Sequence, residues 1–163
     1  MDAFSKGQRS AIMRRVRSKD TTPELQVRSL LHRIGYRFRL HRSDLAGCPD
    51  IVLPMYRTVI FVNGCFWHRH IACPRATTPA SRLHYWLPKF ERTVRRDRRN
   101  QRSLEKAGWN VMVVWECELK RMGCLAKRLD NALKKRLPQS ASPIGTTLRA
   151  AEEPAPYVAR RRS

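Results

Sequence analysis

The sequence predicts an α/β fold, a mixed β-sheet flanked by helices, on three observations. Short apolar runs of strand length alternate with longer stretches of helical periodicity. Proline, glycine and threonine punctuate the boundaries between them. Hydrophobic residues make up 42% of the 163, enough for one core.

The elements follow in order. Ile12, Met13 and Val16 fall at helical spacing among Arg9, Arg14, Arg15, Arg17 and Lys19, which predicts a short basic N-terminal helix. Asp20-Thr21-Thr22-Pro23-Glu24 reads as a helix start, with Thr22 as N-cap, Pro23 at the first helical position and an acid in the first turn. Leu25, Val27, Leu30, Leu31 and Ile34 supply its apolar face, and Gly35 ends it. Residues 36–40 alternate as a strand does, and residues 45–49 form a turn. Residues 50–53 and 58–62, separated by Met55-Tyr56-Arg57, predict a β-hairpin. Residues 74–81 are a loop. A helical pattern then runs from about 81 to 107 on Phe90, Val94, Leu104 and Ala107; Pro88 marks its start or a kink, and Gly108 closes it. Residues 111–115 read as a buried strand, and 119–137 as a basic helix carrying Leu125, Leu129 and Leu133. The expected organisation is a basic arm over 1–22, a domain over 23–137 and a disordered basic tail over 138–163.

Charge narrows the partner. Thirty-four Lys and Arg against thirteen Asp and Glu give a net charge of +21, which self-repels unless a polyanion neutralises it. Nucleic acid fits best, and arginine dominates the excess, the residue whose planar fork matches phosphate. An anionic membrane fits less well, because no broad apolar face opposes the arginines. Residues 1–10 are polar without an apolar secretory core, so a cytoplasmic, nucleoid-associated protein is expected. Five cysteines, an odd number, argue against a disulfide framework in that compartment.

Four constellations could carry chemistry. Cys65, His70 and Cys73 lie close in sequence, and Cys117 follows the strand 111–115; together they are either a tetrahedral zinc set or plainly buried cysteines. Asp50 opens an apolar strand, which costs desolvation unless a cation pairs with it: magnesium on a DNA phosphate, or one of the many arginines. Glu24 is a helix N-terminal charge or a catalytic group. Phe66 and Trp67 stand side by side before His68; they either wedge between bases or divide between core and surface, since neighbours on an extended chain point opposite ways. Arg92, Arg95, Arg96, Arg98, Arg99 and Arg102 on one helix are a solvated face or a phosphate-tracking one.

Taken together these stretches resemble the very short patch repair (Vsr) DNA mismatch endonucleases. The matching residues are Met13-Arg14, Lys19-Asp20-Thr21 and Glu24; the runs Gly47-Cys48-Pro49-Asp50-Ile51-Val52 and Val59-Ile60-Phe61-Val62-Asn63-Gly64-Cys65-Phe66-Trp67-His68; then Tyr85-Trp86, Arg96-Asp97-Arg98-Arg99, Gly108-Trp109 and Val114-Trp115-Glu116-Cys117. They run in family order over residues 8–137, and the run from Gly64 to His68 is highly specific. The resemblance implies a PD-(D/E)XK nuclease-like fold with a structural zinc. It implies a magnesium-dependent nick of one strand, 5′ of the thymine in a T·G mismatch arising from 5-methylcytosine deamination. Asp50 and the Val62 carbonyl would hold Mg2+, His68 would act as general base, and Glu24 would support the metal site. Cys65, His70, Cys73 and Cys117 would bind Zn2+. Phe66, Trp67 and Met13 would intercalate, and Arg14, Arg95, Arg96, Arg98 and Arg99 would hold the DNA backbone. Asn63 stands where many members carry a histidine or an acid; Arg69 falls outside the match, and Cys48 and Cys124 are taken as packing. The implied partner is double-stranded DNA with a T·G mismatch, bound by a monomer, with mismatch-repair proteins and a cytosine-5 methyltransferase system as collaborators and no membrane. The alternatives are a restriction-type nuclease on paired DNA and a non-catalytic, zinc-stapled DNA-binding protein.

Overall fold

The computed structural model describes Gly7 and residues 19–136. The expected basic arm, with Met13 and Arg14, and the expected tail lie outside the described residues. The order of elements is α1 (Thr22–Arg33), β1 (Arg39–Leu40), β2 (Ile51–Leu53), β3 (Thr58–Asn63), α2 (Leu83–Lys106), β4 (Asn110–Trp115) and α3 (Met122–Lys134). The four strands form one sheet in the order β1-β2-β3-β4. β1 and β2, and β2 and β3, pair antiparallel, whereas β3 and β4 pair parallel, from Thr58 opposite Asn110 to Asn63 opposite Trp115. A parallel neighbour needs a crossover, and α2 supplies it.

Alternation along the strands builds two cores. Ile51, Leu53, Ile60, Met112 and Val114 face α1 and α3, where they meet Val27, Leu30, Leu31, Leu125, Leu129 and Leu133. Val52 and Val59 face the other way and meet Leu104 of α2. The sheet is thus the middle layer of three, as the mixed α/β pattern predicts.

Several boundaries differ from expectation for physical reasons. Thr21, not Thr22, caps α1: its backbone is extended, its hydroxyl accepts from the Glu24 N–H at 3.5 Å and donates to Glu24 Oε1 at 2.8 Å. Threonine three residues before glutamate is the spacing such a reciprocal cap needs. Leu25 leaves the apolar face and is 51% exposed at the rim of a cleft. The strand expected over 36–40 shrinks to Arg39–Leu40, because Tyr36 turns inward to pack edge-on against Tyr56 and donates its hydroxyl proton to Asp130 at 2.7 Å. Pro88 neither starts nor ends α2 but lies inside its second turn. The one hydrogen bond it forgoes would go to the carbonyl of His84, an exposed residue that water can serve. The helix expected over 119–137 is a 3-10 turn, Glu116–Arg121, followed by α3, which ends at Lys134. Cys48 and Cys124, expected to pack, are exposed.

The contrast between Leu129 and Leu25 is testable. Leu129 is fully buried, so Leu129→Ala should cost about 2–5 kcal/mol in chemical denaturation. Leu25→Ala should stay within about 0.5 kcal/mol. Similar losses at the two sites would contradict this packing.

Candidate active site and metal centre

One end of the sheet gathers the functional residues. β2 begins immediately after Asp50, and β3 ends at Asn63. Both border an open cleft of about 1250 Å³, lined also by Glu24, His41, Trp67, His68, Lys89, Arg96 and Asp97. Of the expected site residues, the cleft therefore brings together Glu24, Asp50, Val62, Trp67, His68 and Arg96.

Asp50 accepts the Val62 N–H on Oδ2 at 2.7 Å. The group of Val62 turned to Asp50 is thus its N–H; the carbonyl remains the group the family resemblance assigns to the metal. Burial pushes the Asp50 carboxyl up to about 6, against the pull of the Val62 N–H; the Glu24 charge adds to the rise, and His41 and Arg28 oppose it. A carboxylate so short of compensating charge, in a wall open to a cleft, is a hard oxygen donor suited to a divalent cation.

Glu24 is buried and fully engaged. Its Oε2 accepts from Arg28 Nη2 at 2.8 Å and from the Asp20 N–H at 3.0 Å. Arg28 also donates to Asp20 at 2.6 Å and to His41 Nε2 at 2.9 Å. The donor atoms of Asp20, Glu24 and His41 lie within 4.8 Å of one another, but a guanidinium already bridges all three. The cluster is a cation site filled by the protein's own arginine, and it holds Glu24 where its charge acts on Asp50.

His68 is oriented by a partner that sequence reasoning missed. Its Nδ1 donates to Asp97 Oδ2 at 2.5 Å. An ionised carboxylate can only accept, so Nδ1 carries a proton, and in the neutral ring Nε2 keeps its lone pair. Burial raises the Asp97 carboxyl, but His68 and Arg96 outweigh it and hold the group below the usual carboxylate range. Asp97 lies inside the matched Arg96-Asp97-Arg98-Arg99 run; its distance from His68 in sequence conceals the pair.

The segment between β3 and α2 winds through successive turns. His68 N–H donates to the Gly64 carbonyl and His70 N–H to the Cys65 carbonyl. The segment is therefore wound, not extended, and its neighbouring side chains need not point opposite ways. On a turn the two rings converge, 5.0 Å apart and nearly perpendicular, and Phe66 meets Trp86 at 5.6 Å and Phe90 at 5.2 Å. Lys89 Nζ sits 5.2 Å from the Trp67 ring centre and 5.4 Å from that of Trp86. Trp86 and Lys89 are further residues without an assigned role in the sequence; the Tyr85-Trp86 pair was the signal for the first. A Cβ on Gly64 would lie 3.3 Å from the Trp67 ring, so a side chain there would press on the indole.

Beyond His68 the chain forms the Cys/His cluster. The donor atoms of Cys65, His70, Cys73 and Cys117 all lie within 4.8 Å of one another. His70 Nδ1 is 3.3 Å from Cys117 Sγ and 3.7 Å from Cys65 Sγ. His70 stacks on Trp115 at 4.2 Å with the planes 7° apart, which fixes the ring. Three sulfurs and one imidazole nitrogen converging on a point are a donor set that suits a tetrahedral metal ion. The arginines of α2 divide. Arg96 borders the cleft, whereas Arg95, Arg98 and Arg99 line a separate groove.

The comparisons with known proteins agree with this geometry. A family model described as DNA mismatch endonuclease Vsr matches residues 1–74. The chain is 55% identical over 132 residues to the Type II nicking enzyme V.XorIIP of Xanthomonas oryzae pv. oryzae, covering 81% of this chain and 96% of that protein. It is 43% identical over 136 residues to the DNA mismatch endonuclease Vsr of Escherichia coli (strain K12), covering 83% and 85%. It is 41% identical over 134 residues to the Type II nicking enzyme V.NmeAIP of Neisseria meningitidis, covering 82% and 95%. Among solved structures, the homing endonuclease I-Bth0305I catalytic domain superposes with a TM-score of 0.50 over 73% of this chain and 100% of that one; at 17% identity the likeness concerns the fold. The mixed sheet flanked by helices is therefore a nuclease-type fold, and with relatives this similar over most of its length the chain belongs to the Vsr family of DNA mismatch endonucleases.

Proposed function

We propose that this chain nicks one strand of duplex DNA on the 5′ side of the thymine in a T·G mismatch, with Mg2+ in the cleft and Zn2+ in the Cys/His cluster. The observation that carries the reading is the convergence of Asp50, Glu24 and the His68–Asp97 pair on one cleft whose rim includes Trp67. Such mismatches arise by deamination of 5-methylcytosine, which links the activity to hosts with a cytosine-5 methyltransferase. Its bacterial relatives favour action in the cytoplasm, on the nucleoid. We take the monomer as the working unit.

The residues divide the labour. Asp50, with the Val62 carbonyl, would hold the magnesium ion, which when bound supplies charge stabilisation to the scissile phosphate. His68 Nε2, with its lone pair free, accepts a proton from the attacking water as the new P–O bond forms. Asp97 stabilises the resulting imidazolium and keeps the ring in the productive tautomer. The old P–O bond breaks and its electron pair leaves with the sugar oxygen, which takes a proton from solvent water. Glu24, fixed by Arg28, helps shape the charge around Asp50. Asn63, buried at the end of β3, offers a neutral amide to the same cleft. Trp67 and Phe66 would enter the base stack beside the mismatch, where unstacking costs least. Lys89 and Arg96 offer positive charge to phosphate. Cys65, His70, Cys73 and Cys117 would hold zinc as a structural ion.

Four outcomes are expected. On a duplex with one T·G mismatch, the protein should nick in the presence of Mg2+, and Asp50→Ala should abolish nicking while binding persists; normal nicking by that variant would remove Asp50 from the metal site. His68→Ala should slow the single-turnover rate by about 10²–10⁴-fold, the usual worth of a general base. Asp97→Asn, similar in shape, should lower that rate without weakening DNA binding; a wild-type rate would remove the positioning role. Metal analysis should find about one zinc per chain, and Cys117→Ser should lose it together with part of the thermal stability. A metal-free protein of unchanged stability would contradict a structural zinc.

A further inference from the structure

The arginines that leave the catalytic cleft form a surface of their own. Arg95, Arg99, Arg102 and Lys106 recur at i, i+4, i+7 and i+11, one stripe along α2, with Arg98 beside it. With Phe90 of the same helix and Arg69 of the preceding turn, they line a groove of about 810 Å³. Asp97 marks the cleft side of the helix. Arg95 and Arg99 are two positions to either side of it, roughly 200° around an axis of 3.6 residues per turn. The groove and the cleft are therefore on opposite sides of α2.

Most of the cations on this face have no ion-pair partner among the described residues. Arg95 pairs with Glu91 at 2.6 Å, but Arg98, Arg99, Arg102 and Lys106 are exposed and make no ion pair among the described residues. Like charges four apart on a helix cost a few tenths of a kcal/mol each. Two exposed acids, Glu91 and Glu105, are interspersed with these cations, and among the described residues only Glu91 takes one of them into an ion pair. The wall is also firm: Arg69 donates to the Thr77 carbonyl at 2.8 Å and to Thr78 Oγ1 at 2.9 Å, and its guanidinium lies 4.6 Å from the Phe90 ring centre.

We propose that this groove is a second duplex-binding surface, which takes the phosphate backbone of a DNA segment other than the one in the cleft. The inference rests on the reading that the cleft itself takes a duplex. The stripe of eleven positions is about 16 Å long at 1.5 Å per residue, a length along which one strand presents roughly five phosphates at 3.4 Å spacing. A duplex seated in the cleft meets the side of α2 that carries Lys89, Arg96 and Asn100, whereas the stripe lies on the other side and shares no residue with it. The occupant is then a second segment, and the enzyme can hold two stretches of duplex together or pass between them without release.

The test counts duplexes per protein. The full chain carrying Asp50→Ala, which removes nicking, is titrated with two short duplexes bearing different fluorophores, one with a T·G mismatch and one fully paired. Energy transfer and a sedimentation mass of one chain with two duplexes are expected. Adding Arg98→Gln, Arg99→Gln, Arg102→Gln and Lys106→Gln should weaken the second association at least tenfold. It should also make the salt dependence shallower by up to about 3–4 in log–log slope, near 0.9 for each phosphate that the variant no longer neutralises. Thermal melting of this variant checks that it folds; should it not, the pair Arg102→Gln and Lys106→Gln is used with half that slope change expected. Saturation at one duplex, an unchanged second association in the variant, or occupancy by polyglutamate but not by duplex would overturn the inference. Failure of the unsubstituted chain to nick T·G duplexes would overturn the function above and leave this count untouched.

Discussion

Parallel pairing of β3 with β4 is the constraint on which the site depends. Parallel strands end at the same edge of a sheet, so Asn63 and Trp115 lie opposite each other. Cys65 is two residues beyond the first and Cys117 two beyond the second. The register alone thus brings cysteines 52 positions apart in sequence into one cluster. Trp115, the last residue of β4, then supplies the flat surface on which His70 rests. Antiparallel strands, or a slip of one residue, would send one cysteine to the other end or the other face.

The cleft is organised around charge that is expensive to keep. Asp50 is desolvated at the mouth of an apolar strand, with Glu24 close enough to raise its proton affinity further. Two acids so placed repel each other, and Arg28 relieves this by taking Glu24 into its own network. Its Nε has no partner and is buried, a local cost that the triple contact to Asp20, Glu24 and His41 offsets. The balance leaves Glu24 neutralised and Asp50 short of positive charge, an asymmetry that suits a cation arriving with substrate.

Much of this was legible in the sequence because its signals are local. Strand alternation, the Pro-Glu helix start and the Gly108 stop each depend on a few neighbouring residues, and each led to an element. Cys65, His70, Cys73 and Cys117 were recognisable as a donor set, though spacing could not separate ligation from burial. What escaped were relations between distant segments. Asp97 meets His68 only because α2 crosses back over the turn after β3. Phe66 and Trp67 converge because that segment is wound, where reading it as extended separated them. The arginines of α2 looked like one face in the linear sequence; helical geometry divides them between two. The capping residue was misplaced by one position because two adjacent threonines are chemically alike, and only the reach to Glu24 distinguishes them.

The turn from Gly64 to His70 has a metrical consequence. Trp67 and His68 are consecutive, so their Cα atoms are separated by a single peptide, about 3.8 Å. If the indole enters the base stack, the imidazole has no freedom to travel along the backbone of the DNA; its reach is set by the covalent chain and locked by Asp97. The distance from the disturbed base step to the phosphate that is cut would then be a built-in ruler of about one nucleotide. Flanking sequence could decide whether such an enzyme engages, but the offset between lesion and nick would be written into two adjacent side chains.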